Sequence, residues 1–86
     1  MARYSILVRK SVYKDTQSIP GKDLQRILKA ISDLAEEPGP PQSRKLSVEE
    51  KYRLRWGSYR VIYEIRNTEL IICAVRVRHR KDVYRP

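Results

Sequence analysis

Arginine dominates the residues of this chain that could do chemistry. Read with a period of two, the stretch from Tyr52 to Arg66 puts Arg53 and Arg55 on one face and Tyr52, Leu54 and Trp56 on the other. After Gly57-Ser58 the pattern resumes, with Arg60 opposite Tyr59, Val61, Tyr63 and Ile65. Folded back at Gly57-Ser58, the two halves make a hairpin on which Arg53, Arg55 and Arg60 share a surface. Further on, Arg76 and Arg78 alternate with Val75 and Val77, and a basic tail follows that carries His79, Arg80, Lys81 and Tyr84. Guanidinium is planar, bidentate and always charged, so it suits the clamping of phosphate oxygens. Arg60, in mid-strand and rigidly placed, is assigned to a scissile phosphate. Arg53, Arg55, Arg76, Arg78 and Lys81 are assigned to phosphate binding, with Arg55 and Arg80 also candidates for the reaction centre. His79 can give or take a proton near neutral pH. Tyr84 can stack on a base or act as a phenolic acid. Each has a plainer alternative: Arg60 paired with Glu64, His79 as a surface side chain, Tyr84 tucked against the core. Strand parity assigns Tyr52, Trp56, Tyr59 and Tyr63 to the core.

Most other catalytic layouts are missing. The sequence has no glycine-rich phosphate loop, no metal-ligand cluster, no Ser/His/Asp pattern and no CxxC, and it holds one histidine. An enzyme made of cations and phenols, with no metal or cofactor, fits RNA. There the substrate's own 2′-hydroxyl is the nucleophile, and the protein need only align it and neutralise charge. DNA lacks that hydroxyl.

The chain has 86 residues, enough for one domain over residues 1–86. Its formal net charge is +9, from 19 Lys+Arg against 10 Asp+Glu, which points to an anionic partner such as nucleic acid or the ribosome. Cys73 is the single cysteine, so no internal disulfide forms, and a cytoplasmic setting is expected. The N-terminus does not read as a signal peptide, and the apolar run Leu70 to Val75 is too short to span a bilayer.

These side chains need a frame. Residues 3–8 alternate and predict a first strand. Residues 10–18 predict a short helix with Val12, Thr16 and Ile19 on one stripe. Residues 20–37 predict a second helix, since Leu24, Ile27, Leu28, Ile31, Leu34 and Ala35 keep the 3/4 spacing. Pro38-Gly-Pro-Pro41 ends it. Residues 42–51 are polar and read as a loop with a short extended piece. Strands follow at 51–56, 59–66 and 69–78. The expected fold is α+β: strand, helix, helix, then three strands, with two N-terminal helices on one face of a small, mainly antiparallel four-stranded sheet.

Taken together, Arg44-Lys-Leu46, Tyr52-Arg-Leu-Arg55, Gly57-x-Tyr59-Arg-Val-Ile-Tyr63 and Val77-x-His79-Arg-x-x-Val83-Tyr84 resemble the RelE/ParE superfamily of toxins from bacterial toxin–antitoxin modules, nearer its RelE-like branch. The resemblance implies an mRNA interferase: an endoribonuclease that cleaves messenger RNA in the ribosomal A site and stops translation. It implies a RelB-like antitoxin as partner in a hetero-oligomer, and products with a 2′,3′-cyclic or 3′ phosphate and a 5′-hydroxyl. By position, Arg53 and Arg55 fill the two basic sites of the strand motif. Arg60 matches the arginine before Val-Ile-Tyr, and Arg80 and Tyr84 match the C-terminal motif. Where RelE toxins carry lysines in the strand motif, this chain has arginines, which do not give up a proton. The general base then falls to His79, Tyr84 or a ribosomal group. Two other readings stay open: a ParE-like inhibitor of DNA gyrase, and a basic nucleic-acid-binding module without catalysis.

Overall fold

Strand alternation and one amphipathic helix account for most of the architecture. The computed structural model describes residues 3–46 and 51–79. In chain order they form β1 (Ser5–Val8), α1 (Lys10–Thr16), α2 (Gly21–Asp33), β2 (Ser43–Lys45), β3 (Lys51–Trp56), β4 (Tyr59–Arg66) and β5 (Ile71–His79). The strands build one five-stranded sheet in the order β1-β5-β4-β3-β2. β1 runs parallel to β5, and the remaining neighbours are antiparallel. The α+β class is the one expected, with one strand more. The short extended piece within 42–51 pairs with β3, Arg44 lying opposite Arg53.

The helices cover one face of the sheet. Val12, Ile27, Ile31 and Leu34 meet Leu54, Val61, Tyr63, Ile65, Ile72, Ala74 and Val77 in a single core. Each fully buried aliphatic side chain of this size contributes roughly 1.5–3 kcal/mol. Tyr63 is fully buried, and its hydroxyl donates to the Pro38 carbonyl at 2.7 Å. Its ring stacks on Tyr52, with centroids 5.7 Å apart. Burial pushes the Tyr63 phenol above its ordinary pKa.

Helix α2 stops at Asp33, short of the expected Glu37. The N–H groups of Leu34, Ala35 and Glu36 each reach back three residues, so the last turn is tightened. The Ala35 carbonyl is taken instead by the Tyr4 N–H at 2.8 Å, at the entry to β1. Helix α1 likewise ends at Thr16, two residues before the expected Ser18.

Gly57 has φ +56°, the conformation demanded of the first loop residue when Trp56 pairs directly with Tyr59. Strand β5 starts at Ile71 because residues 67–70 form a turn that closes on Leu70, at φ +55°. Along β5, Ile62 pairs with Arg76 and Tyr63 with Ala74, so Val75 is bulged out. Without that extra residue Ala74 and Val77 would face opposite ways; with it both face the helices. Arg76 and Arg78 are thereby held on the other face.

Helix α1 also closes the edge of β5 beyond the reach of β1. The last β1 pair is Val8 with Ala74. Past it, the Ser11 hydroxyl donates to the Val75 carbonyl, and the Asp15 carboxylate accepts from the Val77 N–H at 2.9 Å. Ser11 and Asp15 are four apart on one helix face, which matches alternate residues of the strand.

Candidate nucleic-acid interface

Register fixes which side chains meet. Arg55 pairs with Arg60 across β3 and β4, and Arg60 pairs with Arg78 across β4 and β5. One row of the outer face is therefore Arg55, Arg60 and Arg78, with neighbouring Cα atoms about 4.5–5.5 Å apart. The next row is Arg44, Arg53, Ile62 and Arg76. All lie opposite the core: Leu54, Val61 and Val77, which alternate with them, are buried under the helices. Arg60, at the centre of the upper row, is only 7% exposed.

Like charges placed directly opposite one another across strands cost folding energy. Part of that cost is relieved within the fold. Arg76 donates to Asp15 from Nε at 2.9 Å and from a terminal nitrogen at 3.0 Å. Burial works against the Asp15 charge, but the bonds from Arg76 and Val77 N–H, with the fields of Arg76 and Arg78, outweigh it and hold the carboxyl below its ordinary pKa. Arg76, read in the sequence as a phosphate binder, is thus engaged by a carboxylate of its own chain. Glu64 does not pair with Arg60; it meets Arg9 at 3.7 Å and Arg66 at 3.4 Å. The ion pairs among the described residues include none of Arg44, Arg53, Arg55 or Arg78. A field of guanidinium remains, bounded by Asp15 at the α1 side and by Glu64 lower on the sheet.

His79 leaves this group. It pairs with Tyr59, meeting that ring edge-on at 5.3 Å, and Tyr59 packs against the core. Its imidazole sits on the helix side of the sheet, and Arg60 points the other way. Val77 is already core-facing in the sequence pattern, so the parity of His79 was legible there. Arg80, Lys81 and Tyr84 lie outside the described residues. Arg44 entered the sequence reading only within the resemblance, and neither it nor Asp15 was given a place in the site. The partners of Asp15 lie more than sixty residues away in the chain. Arg44 joins the face only once β2 exists.

Two clefts flank the sheet. One of about 410 Å³, lined by Lys14, Asp15, Ser18, Arg78 and His79 among others, opens at the β5 edge. A larger one, about 500 Å³, lies at the opposite end, around Glu64, Arg66 and Glu69. It holds none of the arginine row and two carboxylates, so the basic face rather than this hollow is the candidate site. This face can bind and neutralise phosphate; its arginines cannot supply a base. Among the described residues no helix is long and apolar enough to cross a membrane.

Comparison with known proteins bears on the same frame. Residues 6–84 match the family described as "ParE toxin of type II toxin-antitoxin system, parDE". The chain is 30% identical to "Toxin RelG" of Mycobacterium tuberculosis, over 95% of this chain and 97% of that protein. It superposes on a chain of the archaeal RelE–RelB complex from Pyrococcus horikoshii OT3 with a TM-score of 0.81 and 31% identity, covering 93% of this chain and 97% of that one. The RelBE2 toxin–antitoxin complex of Mycobacterium tuberculosis gives a TM-score of 0.78 at 25% identity, covering 90% and 98%. The chain belongs to the RelE/ParE superfamily of toxins from type II toxin–antitoxin systems.

Proposed function

We propose that this toxin is a metal-independent endoribonuclease that cuts messenger RNA in the ribosomal A site and halts translation. A cognate RelB-like antitoxin holds it in check in the cytoplasm. The observation that carries this reading is the row Arg55, Arg60 and Arg78, with Arg53 beside it, on one sheet face. Opposed like charges are tolerated where an anion is to be bound, and a phosphodiester supplies one. The solved complexes it resembles pair such a toxin with RelB, which supports the antitoxin.

In this mechanism the 2′-oxygen attacks phosphorus and the P–O5′ bond breaks, leaving a 2′,3′-cyclic phosphate and a 5′-hydroxyl. Arg60 holds the non-bridging oxygens as charge builds on them, flanked by Arg55, Arg53 and Arg78. The resemblance assigns Arg80 and Tyr84 to the same reaction. One proton must leave the 2′-hydroxyl and one must reach the 5′-oxygen. Since guanidinium does neither and His79 is on the other face, Tyr84 or a ribosomal group moves them.

The test uses ribosomes programmed with a defined message. The toxin should produce cuts at a fixed codon position with 5′-hydroxyl ends, and Arg60→Gln should slow the saturating rate by about 10²–10³-fold, the usual loss for one transition-state donor. Equal turnover by the variant would dispose of the assignment. The matching family description favours one other reading, a ParE-like inhibitor of DNA gyrase. Inhibited supercoiling with intact message would select it.

A further inference from the structure

We propose that Arg44 on β2 is a phosphate-binding residue, and that single-stranded RNA held at Arg60 leaves the site across β3 and β2 rather than toward α1. This rests on the nuclease reading above for its ligand, and on register and charge for its direction.

Around Arg60 the outer face has exits of different sign. Toward α1, the Asp15 carboxylate lies at the sheet edge, bonded to Arg76 and to the Val77 N–H. A phosphate passing that way meets a negative group and an arginine already engaged. Down the sheet lies Glu64, bridged by Arg9 and Arg66. Toward β2, Arg53 pairs directly with Arg44, so the two guanidiniums rise from the same face one strand spacing apart. Ser43, on the alternate parity, pairs with core-facing Leu54, which fixes Arg44 to the outer side. Neither Arg44 nor Arg53 has an ion pair among the described residues. The step from Arg55 to Arg53 along β3 is about 6.6–6.8 Å, and from Arg53 to Arg44 about 4.7–4.9 Å between strands. A flexible phosphate backbone can follow that path.

The experiment measures anisotropy of a short fluorescein-labelled single-stranded RNA, with 2′-methoxy groups to block cleavage, titrated with the toxin between about 50 and 200 mM salt. Arg44→Gln, at an exposed position on a short edge strand, should weaken binding several-fold and lower the slope of log K against log salt by about 0.7, the single-strand value for one phosphate contact. Arg66→Gln, at the Glu64 end, should leave both unchanged. An Arg44→Gln slope equal to wild type, an Arg66→Gln slope that falls as far, or a wild type that fails to bind at the lowest salt overturns the proposal. Cleavage of programmed ribosomes is read in parallel. There Arg44→Gln should raise the half-saturating toxin concentration without changing the saturating rate. A silent Arg44→Gln beside a dead Arg60→Gln removes only the exit path. A full-rate Arg60→Gln beside a weakened Arg44→Gln removes only the chemistry.

Discussion

Replacing Asp15 by alanine tests how α1 is held against the sheet. Three hydrogen bonds end on this one carboxylate, two from Arg76 and one from the Val77 N–H. The side chain of Asp15 is 13% exposed and that of Arg76 39%, so water screens the cation more than the anion. Discounted for that exposure, the ion pair is worth about 0.5–1 kcal/mol. The bond from Val77 to a charged acceptor adds about 1.5–3 kcal/mol. The sum, about 2–4 kcal/mol, corresponds to a melting point lower by roughly 8–30 °C in a domain of this size. Arg76→Ala should cost only about 1 kcal/mol, and the double variant should show coupling of about 0.5–1 kcal/mol. The pH dependence follows from the sign of the shift. The folded carboxyl titrates below its unfolded value of about 3.9, so its stabilisation is complete above that pH and is lost as pH falls through the folded pKa. The gap in stability between wild type and Asp15→Ala should therefore be constant near neutrality and close in acid. Denaturant melts across a pH series measure it. A variant within about 0.5 kcal/mol of wild type at neutral pH, the range of an ordinary surface change, or a gap that persists in acid, refutes the reasoning.

Other expectations concern the frame. Tyr63→Phe leaves the Pro38 carbonyl without its 2.7 Å partner and should cost about 1–1.5 kcal/mol in chemical denaturation, with stacking on Tyr52 kept. Leu70→Gly removes a side chain from a φ of +55°, where L-residues are strained by about 1–2 kcal/mol, so the variant should be as stable as wild type or slightly more so. Cys73 is buried and unpaired by any disulfide, and its alkylation in native protein should run no faster than local opening, which a thiol-labelling time course reads directly.

The face bearing Arg53, Arg55 and Arg60 was legible because strand parity is a local property, and the hairpin at Gly57 fixes how its two strands meet. The covered nature of β5 was legible too, from apolar residues on both of its faces; Ile72, Cys73 and Ala74 are all buried. Strand β2 was hard to read because it is short and polar, and an edge strand needs no apolar alternation on its outer side. Beyond the early end of α2 the Ala35 carbonyl accepts from the Tyr4 N–H, a partner remote in sequence. The role of Asp15 could not be read for the same reason: its meaning comes from the strand edge it covers. His79 was placed by its chemical type when its parity pointed the other way.

The direct measurement is of the guanidiniums themselves. With the arginine Nε–H signals assigned by NMR, titration with an uncleavable single-stranded RNA reports which side chains take phosphate. Convergence on one phosphodiester predicts that Arg53, Arg55, Arg60 and Arg78 shift together, with Arg9 and Arg66 left in place. Shifts confined to Arg9 and Arg66, or a row that stays silent while RNA binds, would contradict it.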